Sequence, residues 1–296
     1  MKKILIVEGN LREENQSFTD GGIKTHTESL KDSISYYTND LEIDVANPSS
    51  DSNISDVAND LQKYDGLIWG GSSLNIYSNT PEIRRQIEFM RECQNKIKKI
   101  FAICWGMQVA VTVAGGKVKK CIKGAHRGIA HNIEINDQGL KHPIYQNKNK
   151  IFNTPAFNFD EVVSLPNEAA LLASNKINNV MSLNFKAGIS NVWAIQYHPE
   201  ITYNKMINLI YFRKERLLKK RIQEVGDSYD FVVIDTPPIL GDELIMSLVA
   251  SNKILIPTQA QDYSIDGLEE LMDTFEIIKD SENPELEFSI IPNLGN

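Results

Sequence analysis

Cysteine is scarce: three residues in 296, at positions 93, 104 and 121. An odd number with no Cys-x-x-Cys pair encodes neither a disulfide framework nor a paired zinc site, and such usage suits the reducing cytoplasm. Long apolar runs are missing too, since no stretch reaches the roughly 18 consecutive apolar residues of a membrane span. The opening Met1-Lys-Lys-Ile-Leu-Ile-Val7 starts like a signal peptide, but its apolar run stops at Glu8, short of an h-region. Positive charge is in deficit, 31 Lys and Arg against 39 Asp and Glu for a net charge of −8. No global field therefore attracts nucleic acid or an anionic membrane surface. What remains is ordinary for a globular protein: 42% hydrophobic and 24% charged residues, in a length suited to one large domain or two modest ones. The expectation is a soluble, cytoplasmic protein without membrane or nucleic-acid partners, in which nothing calls for a metal or a cofactor.

Short apolar runs alternate with amphipathic stretches, the pattern of a parallel sheet covered by helices. Strands are expected over residues 3–8, 42–46, 66–69, 99–104, 132–135 and 191–197. Helices are expected over 25–37, 53–63, 81–93 and 107–114, the last closed by Gly115-Gly116. From 213 to 227 the chain turns basic, Arg213-Lys-Glu-Arg-Leu-Leu-Lys-Lys-Arg221, and reads as a helical linker. A second series of elements follows, over 230–234, 243–249, 253–256, 265–279 and 287–291. The expected organisation is an α/β domain over 1–212, the linker, and a smaller segment over 228–296.

Within Lys98-Lys-Ile-Phe-Ala-Ile-Cys-Trp-Gly-Met-Gln108, an apolar strand ends in Cys104 and passes at once into a helix-forming stretch. A thiol on such a turn stands clear of its own backbone, and the helix start favours its thiolate. Taken alone, the segment fits a buried structural cysteine equally well. A thiolate nucleophile needs a base with an orienting partner. In Trp193-Ala-Ile-Gln-Tyr-His-Pro-Glu200, Pro199 favours extended geometry at His198, so His198 and Glu200 share a face. Glu200 can then accept the distal imidazole N–H. His-Pro-Glu by itself is also an ordinary strand exit; together with a cysteine elbow it is a rarer coincidence. A third piece, Tyr64-Asp-Gly-Leu-Ile-Trp-Gly-Gly-Ser72, is a strand closing on paired glycines. Glycine lets backbone N–H groups approach a developing oxyanion, and Gly71 with Trp105 would form that hole, although a plain turn reads the same way.

Gly70-Gly-Ser72, Cys104-Trp-Gly-Met-Gln108 and His198-Pro-Glu200, in that order, resemble the class I (triad-type) glutamine amidotransferases over residues 1–212, nearest to GMP-synthase-like glutaminase domains. Gly128-Ile-Ala-His-Asn-Ile133, His142-Pro-Ile144, Phe159-Asp-Glu-Val-Val-Ser-Leu-Pro166 and Ala173-Ser-Asn175 support the likeness. The resemblance implies a flavodoxin-like α/β fold and glutamine hydrolysis by Cys104, His198 and Glu200, with ammonia delivered to a synthetase subunit. It also implies that Gly70 and Gln108 help bind the substrate. The sequence departs from that pattern in two respects. Ala102 stands where the elbow usually begins with glycine, and the stretches His126-Arg127-Gly128 and Phe157-Asn-Phe-Asp160 differ where substrate selection is plausible. Cys93 and Cys121 lack elbow context and are expected to be structural. His26, His126, His131 and His142 are expected to be solvated or packed.

Beyond residue 228, Tyr229-Asp-Phe-Val-Val-Ile-Asp-Thr-Pro-Pro238, Leu248-Val-Ala-Ser-Asn-Lys-Ile-Leu-Ile-Pro257 and Tyr263-Ser-Ile-Asp-Gly-Leu268 resemble the interior of a ParA/Soj-type partitioning ATPase. Asp235 would match that family's strand-end aspartate beside nucleotide and Mg²⁺. Nucleotide binding needs a phosphate-cradling loop, and no G-x-x-x-x-G-K-[ST] occurs; Gly21-Gly-Ile-Lys-Thr25 has Ile at the second glycine. ATPase activity is therefore not expected. Three functional readings stand: a glutaminase feeding ammonia to a synthetase, a hydrolase of another γ-glutamyl amide, and a non-catalytic interaction protein carrying a partitioning-ATPase fragment.

Overall fold

Apolar residues at successive positions of one strand face opposite sides of a sheet, so a strand buried on both sides needs helices above and below it. The run Leu5-Ile6-Val7 meets that condition: all three are fully buried, with Leu5 and Val7 in one core cluster and Ile6 in another. The computed structural model describes residues 2–50, 57, 59–214, 229–236, 244, 247–248, 250–258, 271–272, 275–276, 278–279 and 283–292. They fall into two compact units, Met1–Met206 and Ile207–Asn296.

In chain order the first unit contains β1 (Lys2–Val7), α1 (Arg12–Asp20), α2 (His26–Tyr37), β2 (Leu41–Ala46), β3 (Gly66–Trp69), α3 (Pro81–Lys96), β4 (Lys99–Ile103), α4 (Trp105–Val113), β5 (Lys117–Lys120), β6 (His126–Ile135), β7 (Ile151–Asn158), β8 (Asp160–Ser164), β9 (Ala170–Ser174), β10 (Ser182–Ala187) and β11 (Ser190–Ile195), and α5 (Tyr203–Lys214) begins at its end. Nine strands form one sheet in the order β2-β1-β3-β4-β11-β10-β9-β6-β7. From β2 to β11 the neighbours are parallel, and from β11 to β7 they are antiparallel. β5 and β8 make a separate antiparallel pair. Side chains of α3 and α4 (Ile83, Phe89, Met90, Val109) pack with Leu5, Leu67, Ile100 and Val192 on one face; Leu30 of α2 packs with Ile6, Ile103 and Ile195 on the other. The α/β class with helices on both faces is as expected, and the antiparallel half enlarges the parallel sheet that the strand pattern predicts.

Local chemistry fixes the helix starts. Thr25 caps α2, its Oγ1 accepting from Glu28 N–H at 3.2 Å while Glu28 Oε2 accepts from Thr25 N–H at 2.7 Å, a reciprocal capping box. Thr80 caps α3, with Pro81 in the first turn. Residues 53–56 and 58 of the helix expected over 53–63 lie outside the described residues; its end, Leu61–Lys63, is a short 3₁₀ turn. α1, which pattern reading misses, is polar apart from buried Phe18 and has no side-chain cap.

In the second unit, β12 (Lys253–Thr258) and β13 (Glu287–Pro292) pair in parallel, and Leu248, Phe275, Ile278 and Leu286 form a small core. The strand expected over 230–234 is not formed: residues 231–236 carry no ladder, and Phe231 and Val233 are exposed. A Phe-Val-Val-Ile run makes a strand only with a partner beside it, and the described ladder joins β12 to β13 alone. Residues 215–227 of the basic linker, Pro237-Pro238 at the end of the Tyr229–Pro238 motif, and Tyr263–Leu268 lie outside the described residues. Among the described residues no helix is long and apolar enough to cross a membrane.

Candidate active site

Four adjacent parallel strands deliver their chains to one edge. β1 runs into Glu8, β3 into Gly70 and Gly71, β4 into Cys104, and β11 into Gln196 and His198. The strand order reverses at β1, which lies between β2 and β3. The crevice at the carboxyl ends beside such a reversal is where open α/β sheets hold ligands.

Cys104 is the residue between β4 and α4. Its φ of 52° and ψ of −102° are strained for any residue other than glycine, a cost of order 1–3 kcal/mol that persists where surrounding structure imposes it. Two bonds impose it here: Cys104 N–H donates to Ile195 O at 2.7 Å, and Gly106 N–H to Gly70 O at 3.2 Å. Gly106 has no room for a side chain, since a Cβ there would stand 2.5 Å from Trp69 O. Gly106→Ala should therefore be destabilising. Overpacking against backbone costs about 1–3 kcal/mol, enough to outweigh a helix-propensity gain of roughly 1 kcal/mol. Thermal melting should show a lowered Tm, and an unchanged or raised one would refute that packing. Ala102, in place of the customary glycine, is fully buried in β4 without disturbing the elbow.

The thiol is nearly buried, 3% exposed. Gln196 Nε2 donates to its Sγ at 3.4 Å, and the S–H lies 3.7 Å from Phe157 O. His198 is pinned by its N–H to Pro155 O at 2.8 Å, and its Nδ1 stands 2.7 Å from Glu200 Oε1. Cys104 is near enough for its charge to act on the ring. Nδ1 thus carries the proton shared with Glu200, and the other ring nitrogen is left without a hydrogen bond among the described residues. Burial by itself lowers the imidazole's pKa, but the charges of Glu200 and Cys104 and the hydrogen bond to Glu200 reverse that and push it to about 10. For Glu200, burial pushes upward and is overcome by His198's charge and hydrogen bond, leaving the carboxyl well below the usual carboxylate range. The site is built for an ion pair.

Around this pair the structure places the other expected residues. Trp105 N–H begins α4, and its indole Nε1 donates to Gln86 Oε1 at 2.6 Å. Gln86, fully buried, donates in turn to Gly9 O at 2.9 Å and Ser49 Oγ at 2.7 Å. Gly71 lies against the histidine, because a Cβ there would stand 2.7 Å from His198 Cε1. Among the described residues no protein acceptor takes the Gly71 or Trp105 backbone N–H. Gly70 has both backbone groups engaged, its N–H on Val7 O and its carbonyl on Gly106 N–H. Gln108 is buried, and its Nε2 meets Gln196 Oε1 at 3.5 Å, one side chain removed from the sulfur.

Two neighbours of the site escape sequence reading. Gln196 had a signal, since it stands two residues before His198 and so shares its face in extended chain. His26 had none visible: it is buried at the start of α2 and stacked on His198, with ring centroids 5.4 Å apart and planes at 21°. The expectation that His26 is merely solvated or packed therefore understates its place beside His198 and Glu200. His26, His198 and Glu200 are also, among the described residues, a cluster with ligand atoms close enough to share a cation, although His198 Nδ1 is already bonded to Glu200. His126 is buried with Nδ1 2.8 Å from Asn158 Oδ1 and Nε2 2.9 Å from Asn175 Nδ2, which fixes it as the neutral Nδ1–H tautomer. His131 is exposed, and His142 caps a short turn through Ile144 N–H at 3.3 Å. Cys93 and Cys121 are buried, and burial pushes both thiols up, away from reactivity.

Comparison with known proteins extends this geometry. The chain is 30% identical over 203 residues to a gamma-glutamyl-L-1-hydroxyisopropylamide hydrolase of Pseudomonas sp, covering 68% of each chain. It is 33% identical over 169 residues to gamma-glutamyl peptidase 3 of Arabidopsis thaliana, covering 56% of this chain and 65% of that one. The chain thus spans about two thirds of the length of these relatives. Over 73 residues it is 36% identical to the sporulation initiation inhibitor protein Soj of Bacillus subtilis, 25% of this chain and 29% of Soj. Among solved structures, a glutamine amidotransferase of Thermotoga maritima shares the fold at a TM-score of 0.55 and 16% identity, covering 75% of this chain and 86% of that one. A Thermoplasma acidophilum protein assigned to GMP synthase does so at 0.51 and 18%, covering 76% and 98%. A family model described as an AAA domain matches residues 87–288. The chain belongs to the family of γ-glutamyl hydrolases, cysteine-dependent amidohydrolases, and over residues 87–288 also to the AAA-domain family.

Proposed function

We propose that this protein hydrolyses a γ-glutamyl amide through Cys104, His198 and Glu200. The observation that carries the reading is a strained cysteine elbow next to a buried imidazole whose far nitrogen is held 2.7 Å from a carboxylate. The Cys104 thiolate attacks the γ-carbonyl carbon, and the Gly71 and Trp105 N–H groups take the oxyanion. The His198 imidazolium then gives its proton to the departing amine as the C–N bond breaks, leaving a γ-glutamyl thioester. Acylation also removes the thiolate charge that helped raise His198, so the ring becomes a competent base. It takes a proton from water, hydroxide adds to the thioester, glutamate leaves and the thiol is restored.

The named relatives support a substituted amide as substrate. Glutamine is the simplest member of the same class, and the motif resemblance supports a second form of the reading. In that form ammonia leaves and passes to a synthetase partner of GMP-synthase type, with Gly70 and Gln108 helping to bind glutamine. We take the protein to work in the cytoplasm, with its catalytic domain over 1–212, a linker over 213–227 and a ParA-like segment without a phosphate loop over 228–296. An intact triad disfavours the non-catalytic reading. Purified protein is tested with glutamine and with N-substituted γ-glutamyl amides, reading glutamate release. Turnover of the substituted amides alone selects the hydrolase form, turnover of glutamine the amidotransferase form, and no release from any of them would overturn both. Gly71→Ala probes the same geometry: the added methyl forces the His198 ring aside, and misplacement by about 1 Å can cost 10²-fold in rate. A wild-type kcat in that variant would contradict the placement of His198.

A further inference from the structure

We propose that His26 is a positioning residue of the triad, holding Glu200 from one side while its ring fixes the plane of His198. The inference rests on the acyl-transfer reading above. His26 Nδ1 points at Glu200 Oε1 from 3.6 Å. It has no other partner among the described residues, and Glu200 Oε2 has none either. A ring only 5% exposed that keeps an unpaired N–H is costly to bury. Contact with Glu200 is the one interaction within reach that offsets the cost, and such bonds are often long before substrate closes the site.

The charge state fits the role. Burial pushes the His26 pKa down, and the charge of neighbouring His198 pushes it the same way against the pull of Glu200 and Glu8. A neutral His26 donates through Nδ1–H without placing a second cation against the imidazolium. Its opposite edge backs the paired-glycine loop, since a Cβ on Gly71 would stand 3.0 Å from His26 Cε1 and 3.2 Å from Nε2.

The mount is rigid. Thr25 and Glu28 lock the helix start. Glu8, at the end of β1, accepts from Thr27 N–H at 3.2 Å and Thr27 Oγ1 at 2.7 Å, tying α2 to the sheet. As His198 gains and loses its proton, Glu200 has a second donor that does not move. The carboxylate therefore has no cause to swing away when the imidazole is neutral.

Kinetics of the full chain test this with glutamine and with the chromogenic probe γ-glutamyl p-nitroanilide. Wild type and Cys104→Ala are assayed first, so that lack of thiol-dependent turnover is recognised as failure of the underlying reading. His26→Phe keeps a stacking ring and removes the donor. It should lower kcat by about 10- to 100-fold, the usual effect of removing an outer-shell partner, with KM little changed. His26→Asn carries an amide nitrogen close to the position of Nδ1 and should recover most of that kcat. If His26→Phe does not fold, as judged by thermal melting, His26→Leu against His26→Asn gives the same comparison at nearly equal size. A wild-type kcat without the donor, an equal fall in the Asn variant, or a change confined to KM would overturn the proposal.

Discussion

Cys104→Ala should reduce turnover by on the order of 10⁶, the scale at which removing a covalent nucleophile leaves only binding and oxyanion stabilisation. The effect is chemical and not structural. The sulfur's contacts in the fold are two long hydrogen bonds, at 3.4 Å from Gln196 and 3.7 Å to Phe157, and the backbone bonds that hold the elbow belong to N–H groups the substitution keeps. Melting temperature should therefore stay near that of wild type while product formation disappears. Cys93→Ala and Cys121→Ala supply the contrast, because both thiols are buried away from the sheet edge and should leave kcat unchanged. Residual activity above about 1% of wild type in Cys104→Ala would mean that another group attacks the amide.

Glu200→Gln should be the next most damaging change, lowering kcat by roughly 10³–10⁴. The precedent is the triad in which amide replaces carboxylate and traps the wrong imidazole tautomer. A carboxylate accepts the Nδ1 proton, whereas an amide can turn its NH₂ to Nδ1 and drive the proton onto the nitrogen that must serve Cys104. The pH behaviour follows from the direction of each shift. His198 is raised from 6.5 to about 10 in the folded protein, so its contribution to stability is full below pH 6.5 and is lost as pH rises through about 10. Glu200 is depressed from 4.5, so its contribution is present above pH 4.5 and is lost as pH falls through its lowered value. These describe one interaction and are not additive. The Tm difference between wild type and Glu200→Gln should therefore be widest between about pH 4.5 and 6.5 and shrink as pH rises from there through about 10. A difference that grows with pH above 6.5 would contradict the ion-pair description.

How much of this was legible without coordinates depended on how local each signal is. The parallel half of the sheet was readable because its strands, such as Leu5-Ile6-Val7, are buried on both faces and leave an unbroken apolar run. The turn at Cys104 and the pairing of His198 with Glu200 were readable because a strand-to-helix elbow and an i, i+2 pair are each set by a few adjacent residues. β7, β9 and β10 were not. Their sequences mix polar and small residues, as in Ile151–Asn158, which is exposed at its start and buried over Thr154–Ala156 and so follows no single period. His26 was hidden for a different reason: its contact with Glu200 joins residues far apart in the chain, and no period or spacing encodes that meeting. The strand expected over 230–234 erred in the opposite sense, because an apolar run records the capacity to pair and says nothing about the neighbour it needs.

The central claim is that one sulfur becomes acylated by a γ-glutamyl group. Rapid mixing of the protein with its best γ-glutamyl amide, acid quenching within a turnover and mass analysis of the peptide containing Cys104 test it directly. A mass increase equal to one γ-glutamyl residue on Cys104, removed by hydroxylamine and absent from Cys104→Ala, is the predicted result. Catalytic release of glutamate with Cys104 unmodified throughout, or with the label on another side chain, would contradict the account.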